Sequence, residues 1–127
     1  MPAVSLALVL ADGRLSFYDL FRMKLHADLV VLSACETGHS DGSPGEELLG
    51  LSGGLLMAGA RAVVVSLWEV IDASSARFME LLYARLAAGM PVAEALAGAM
   101  VEMQTLAPHP AHWAPYILLG DPSVRIA

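Results

Sequence analysis

Residue types that build many common sites are scarce in this sequence. It has one cysteine, Cys35, so no disulfide can form within the chain and a zinc site built from several cysteines is excluded. A lone thiol is typical of a reducing compartment, which predicts a cytoplasmic protein. No GxGxxG or GKS/GKT motif occurs either, so we expect no nucleotide cofactor, and indeed no cofactor of any kind.

Positive charge is also sparse. Lysine and arginine together number 7 against 13 acidic residues, and the formal net charge is −6. The basic residues form no stripe or cluster, and neutralising a phosphate backbone requires one. Nucleic acid is therefore not an expected partner.

Long apolar runs are absent as well. Residues 4–11 are apolar, but no basic segment precedes them, and Asp12 and Arg14 follow at once. No uninterrupted apolar stretch reaches the ~18 residues that a spanning helix needs. The sequence therefore predicts no membrane association.

Apolar residues make up 57% of the 127 positions, enough for the core of one domain over residues 1–127. Strand-like apolar runs alternate with helical segments, which is typical of an α/β fold with a parallel sheet. We predict strands at 4–10, 28–34, 61–68 and 116–120, and helices at about 46–58, 73–88 and 92–106. An Asp-Gly turn at 11–14 predicts a hairpin with residues 15–17, followed by a short helix to about residue 25.

Cys35 follows the predicted strand 28–34 and opens a loop rich in glycine, serine and aspartate. In open α/β sheets, ligands and catalytic groups collect at the carboxyl ends of the strands. By position alone, an inert buried thiol remains the more common interpretation.

Several motifs change that interpretation. In order along the chain they are VVLSACETG, GEELLGL, AGARAVVVSLWEVID and HWAPYILLGDP. Together they resemble the CHAT domain, a caspase-like, separase-related cysteine peptidase family often found behind TPR repeats. The resemblance runs from about Leu6 to Pro122, and it implies a caspase-like three-layer α/β/α fold with a mainly parallel sheet whose N-terminal strands are missing, hence a partial domain.

The resemblance also implies roles for individual residues. Cys35 matches the nucleophile, and its backbone N–H matches an oxyanion-hole donor. Asp72 matches an acidic position that binds a basic P1 side chain, the residue on the amino side of the cleaved bond; an equally weighted alternative is that Asp72 caps the following helix. Glu36 is expected to shape the loop beside the substrate.

The partner histidine is missing from the family pattern. The family's base lies in a His-Gly motif, and no His-Gly pair occurs among the four histidines. His39 shares the loop with Cys35 and is a weak substitute, while His26 is predicted at the opposite end of the strand. His109 and His112 are expected to be exposed loop residues. The sequence offers no third ligand near this pair, so we predict no metal site.

Other large side chains are assigned to packing. Trp68 is expected in the core, and Trp113 is expected to anchor the last strand. Four methionines fall at core-like spacing on the helices: Met57, Met79, Met100 and Met103.

Three functional hypotheses follow. The first is a fragment of a cysteine endopeptidase that acts on protein or peptide substrates, with a histidine upstream of Met1 and little activity alone. The second is a non-catalytic interaction module of the same fold, which binds TPR repeats or other domains of a longer protein, or dimerises through a parallel sheet edge left open beside residues 29–33. The third, ranked last, is a flavodoxin-type small-molecule binding domain.

Overall fold

The computed structural model describes residues 4–5, 24, 26–33 and 44–126. The elements in chain order are β1 (Val4–Ser5), β2 (Leu29–Leu32), α1 (Pro44–Ala58), β3 (Ala62–Ser66), α2 (Asp72–Ala87), α3 (Val92–Leu106), a 3-10 helix (Pro110–His112) and β4 (Tyr116–Gly120). The predicted hairpin at 11–17 and the short helix after it lie outside these residues. Of the predicted strand 4–10, residues 6–10 also lie outside them, and β1 is the described part. The other predicted strands and helices are present, with ends shifted by at most a few residues.

The strands form one sheet in the order β1-β2-β3-β4. β1 and β2 are parallel to their neighbours, as predicted, whereas β4 runs antiparallel to β3. Two helices, α2 and α3, separate β3 from β4, so the chain can enter β4 in either direction. The alternation of strands and helices in the sequence does not determine which direction β4 takes.

Every residue of β2 and β3 is buried, which accounts for the three layers of the fold. Side chains on successive strand residues point to opposite faces, so a strand buried on both faces is apolar throughout. Leu29, Val31 and Val64 pack on one face in a core shared with α2 and α3. Val30 and Val63 pack on the other face, in a core shared with α1. The predicted α/β/α fold is confirmed.

An open parallel edge beside β2 was predicted, and this prediction is wrong. β1 pairs with β2 through Val4↔Val30 and Ser5↔Val31, so β2 is an interior strand. Within the described part of the chain, the edges of the sheet are β1 and β4.

Glycines follow the carboxyl ends of α1 and α2, close to the helix ends that the sequence predicts. Gly59 follows α1 with φ 122° and Gly89 follows α2 with φ 89°, backbone conformations that glycine adopts without steric cost. The tight α2–α3 connection brings the two helices together against one face of the sheet. Among the described residues, no helix has the length and apolar character to cross a membrane.

Methionine packing is mostly as predicted. Met103 is buried, and Met79 and Met100 pack against the α2–α3 core. Met57 is the exception, because it lies on the outer side of α1 with 70% of its surface exposed.

An ion-pair cluster lies at the end of the sheet where β2 and β3 begin. Arg61 contacts Asp28 at 3.5 Å and Asp121 at 3.2 Å. Hydrogen bonds donated by the Ser123 hydroxyl and backbone N–H, with a smaller effect of Arg61, lower the pKa of the Asp121 carboxyl. All three ion-pair partners are solvent-exposed, so the pairs stabilise the fold only weakly.

Candidate functional site

The site begins where two parallel strands end together. β2 and β3 pair from Leu29↔Ala62 to Leu32↔Val65, so their carboxyl ends lie together on one side of the sheet. We call this side the carboxyl edge, as distinct from the edge strands β1 and β4. Ser33 is the last described residue after β2. Cys35, Glu36 and His39 lie outside the described residues.

A pair of hydroxyls joins the two strand ends. Ser33 Oγ lies 3.3 Å from Ser75 Oγ, in the first turn of α2, and the Ser75 side chain is buried. Because buried hydroxyls need a partner, this bond fixes the end of β2 against the start of α2. The first turn of α2 therefore lies beside the position from which the chain leads to Cys35.

The β3–α2 turn, residues 67–71, presents large apolar side chains at this edge. Val70 is only 1% exposed and anchors the turn in the core, whereas Trp68 is 40% and Ile71 54% exposed. The prediction that Trp68 packs in the core is wrong, because the strand ends at Ser66 and the indole lies beyond it. Its Nε1–H donates to the Ala111 carbonyl at 3.4 Å, which leaves an aromatic surface at the edge.

Asp72 is the first residue of α2 and is exposed. Ile71 occupies the N-cap position and no side chain caps the helix, so the predicted capping by Asp72 is wrong. A carboxylate in the first turn interacts favourably with the helix dipole. Among the described residues no cation pairs with Asp72, so its charge is available to a ligand.

The prediction that His112 is an exposed loop residue is wrong. It ends the 3-10 helix, is half-buried, and its Nδ1 lies 2.6 Å from Ser74 Oγ in the first turn of α2. His109 is exposed as predicted, and its Nδ1 accepts a hydrogen bond from the Ala111 N–H at 3.1 Å. The antiparallel direction of β4 accounts for the difference, because it carries the residues before Tyr116 to the carboxyl edge of β3.

The two histidines do not build a metal site by themselves. Their ring centroids are 6.2 Å apart in an edge-to-face arrangement. Within the described ranges no three histidine, cysteine or acidic side chains lie close enough to hold a metal ion. His26 precedes β2 and is exposed at the opposite edge of the sheet, as predicted.

Trp113 holds the segment before β4. Its side chain packs against the α2–α3 core, and its Nε1–H donates to the Pro108 carbonyl at 3.0 Å. The prediction that Trp113 anchors the last strand is confirmed.

Two comparisons with known proteins are informative. The CHAT domain family model matches residues 2–121. The human Tetratricopeptide repeat protein 28 is 33% identical over 105 residues, which is 81% of this chain and 4% of the relative. The chain therefore spans only a small fraction of the length of that relative.

Proposed function

The chain belongs to the CHAT domain family, and from that premise we propose that it is a cysteine-type endopeptidase domain with Cys35 as its nucleophile. One observation carries the proposal: β2 and β3 are parallel and end together, with Asp72 in the turn of helix that follows β3. Cys35 is two residues beyond Ser33, and two residues extend a chain by at most about 7 Å. The proposal therefore puts the Cys35 thiol on the same side of the sheet as the Asp72 carboxylate.

The proposed chemistry is acyl transfer. The Cys35 thiolate attacks the scissile carbonyl, and the Cys35 backbone N–H donates to the oxyanion that forms. The amine leaves with a proton, a thioester remains on Cys35, and water hydrolyses it to regenerate the thiol. Glu36, next to the nucleophile, is proposed to border the bound peptide.

A base is needed to take the thiol proton and return it to the leaving amine. Among the histidines that the structure describes, His26 lies at the far edge, His109 caps the 3-10 helix, and His112 is engaged by Ser74. We therefore assign the base to a segment outside these 127 residues, with His39 as a weak substitute. The isolated chain is expected to turn over no peptide.

Asp72 is proposed to bind a basic P1 side chain. Asp72 is exposed, and two exposed apolar residues, Trp68 and Ile71, precede it by four positions and by one position in the adjoining turn. Arginine and lysine have an apolar stem and a charged end, so such a surface matches both parts. An indole also attracts cations through its ring face.

The proposal extends to the surroundings of the domain. A relative that carries tetratricopeptide repeats in its name favours TPR repeats as neighbours within a longer protein. The lone thiol favours a reducing compartment, so we propose a cytoplasmic location.

Covalent labelling of the 127-residue chain tests the site without requiring turnover. A peptide acyloxymethyl ketone alkylates a cysteine when the thiolate displaces its carboxylate leaving group and forms a thioether. We expect a reagent with arginine at P1 to label Cys35 about tenfold faster than its citrulline analogue, since a hydrogen bond to a charged group contributes about 1.5–3 kcal/mol. The measurement is the labelling rate by mass spectrometry at pH 8.5, where a large fraction of an ordinary thiol is ionised.

Citrulline has the shape of arginine without its charge, and iodoacetamide reports the intrinsic reactivity of the thiol. Equal rates for the two peptide reagents would contradict a basic P1 pocket at Asp72.

A second candidate function is a non-catalytic interaction module. The observation that favours it is the apolar outer surface of α1, where Leu49 and Met57 are 42% and 70% exposed. Under this alternative the chain binds neighbouring domains or forms a homodimer through an edge strand, and labelling shows no preference for arginine. Light scattering that gives a monomer mass at high protein concentration would count against the dimer.

A further inference from the structure

We propose that His112 is a positioning residue that holds the Asp72-bearing turn of α2 in place through its hydrogen bond to Ser74. The inference rests on the proposed function, and it concerns selectivity for a basic substrate side chain. The proposed role of His112 involves no contact with the substrate or with the reacting atoms.

The bond joins two segments that are far apart in the sequence. His112 Nδ1 and Ser74 Oγ are 2.6 Å apart, in half-buried surroundings, across 38 positions. Asp72 is two residues before Ser74 and shares the first turn of α2 with it. Since no side chain caps this helix end, the direction of the Asp72 side chain depends on how that turn is held.

The same segment is held at other points. The Leu67 N–H donates to the Pro115 carbonyl at 2.8 Å, and the Trp68 indole donates to the Ala111 carbonyl at 3.4 Å. On the other side, Ser75 meets Ser33 at 3.3 Å. The turn is therefore fixed between the end of β2 and residues 111–115. Of the named hydrogen bonds to residues 111–115, the His112 bond is the one closest to Asp72 in the sequence.

Backbone hydrogen bonds also hold the segment that carries His112. The His112 N–H donates to the His109 carbonyl at 3.0 Å, and the Ala114 N–H donates to the Pro110 carbonyl at 2.8 Å. β4 begins two residues later and pairs along its length with β3. An imidazole held on such a frame can restrict the first turn of α2, because both ends of the bond are attached to rigid elements.

The chemistry of the bond suggests matched variants. The short side chain of asparagine places an amide near the position of Nδ1, so His112→Asn keeps a partner for Ser74. His112→Ala and Ser74→Ala each remove one end. His26→Ala is the control, because His26 is exposed at the opposite edge of the sheet.

The test combines two measurements on the 127-residue chain. The first is the ratio of Cys35 labelling rates for the arginine and citrulline reagents. We expect His112→Ala and Ser74→Ala to lower this ratio about fivefold, with iodoacetamide alkylation unchanged, and His112→Asn to restore it, in line with loss of a hydrogen bond that contributes about 1 kcal/mol. The double variant should be no worse than either single variant, because both remove the same bond.

The second measurement is amide hydrogen exchange of residues 67–75, which does not depend on peptidase chemistry. Both alanine variants should accelerate exchange there selectively, whereas His26→Ala and His112→Asn should not. An unchanged exchange rate in the alanine variants, or an unchanged labelling ratio despite faster exchange, overturns the inference. If His112→Ala does not fold, Ser74→Ala decides the same question.

Failure of the proposed function has a different signature. A wild-type chain without preference for arginine disproves the role of Asp72 in substrate binding and, with it, any role of His112 in selectivity. The exchange measurement then still shows whether His112 holds the turn.

Discussion

Asp72→Lys should change the arginine-to-citrulline labelling ratio by about 100-fold and bring it below one, because a favourable charge contact becomes a repulsive one. The same variant should accelerate labelling by a reagent with glutamate at P1. Both rates are measured by mass spectrometry on the single cysteine. A gain for the glutamate reagent separates charge recognition from general damage, since damage would slow every peptide reagent.

Glu69→Lys is the matched control for this prediction. Glu69 lies in the β3–α2 turn, three residues before Asp72, and its replacement by lysine changes the net charge by the same amount. We expect its labelling ratio to stay within about twofold of the wild type, because the proposed contact with the arginine side chain is made by the Asp72 carboxylate and not by Glu69. Equal effects of the two substitutions would show that overall charge, rather than the position of Asp72, sets the preference.

Gly120→Ala should lower the free energy of unfolding by about 3 kcal/mol, a large share of the stability of a typical domain. Gly120 ends β4 with φ 96°, which is unfavourable for any residue with a Cβ. An added Cβ would also lie 2.5 Å from the Arg61 carbonyl oxygen and 3.1 Å from Ala62 Cα, both backbone atoms where the neighbouring strand β3 begins. Urea denaturation followed by circular dichroism measures the change.

Gly53→Ala is expected to have the opposite effect on the free energy of unfolding. Gly53 lies in α1, and an added Cβ meets no atom within 4 Å. Alanine favours a helix interior over glycine by about 0.5–1 kcal/mol, so this variant should be more stable than the wild type. Destabilisation by both substitutions to the same extent would contradict the steric explanation for Gly120.

The sequence predicts the layers of the fold well because local patterns determine them. β2 and β3 are short apolar runs, and burial on both faces requires helices above and below the sheet. Gly59 and Gly89 mark helix ends through a backbone preference that is local in origin. The direction of β4 is not local, because it depends on how α2 and α3 pack before the chain returns.

The candidate site is only partly predictable for the same reason. The sequence predicts Asp72 near the start of α2. Which side chains surround the first turn of α2 depends on the direction of β4. Its antiparallel pairing brings His112 to Ser74 and the Ala111 carbonyl to Trp68, and no spacing rule links residues 38 or 43 positions apart. The sequence therefore predicts Trp68 in the core and His112 in an exposed loop, and both predictions are wrong. The role of Cys35 rests on its motif and on its place after β2, and it stays a prediction.

The central claim is that Cys35 is the nucleophile of a peptidase whose base lies outside these 127 residues. Its most direct test is cleavage of an arginine-containing peptide by the domain with its upstream segment, compared with the Cys35→Ser variant and with the chain alone. We predict cleavage by the extended protein, none by the chain alone, and loss of activity by at least about 1000-fold on Cys35→Ser, in the range seen when a catalytic nucleophile is removed. Cleavage that survives Cys35→Ser, or Cys35-dependent cleavage by the 127-residue chain alone, would contradict the claim.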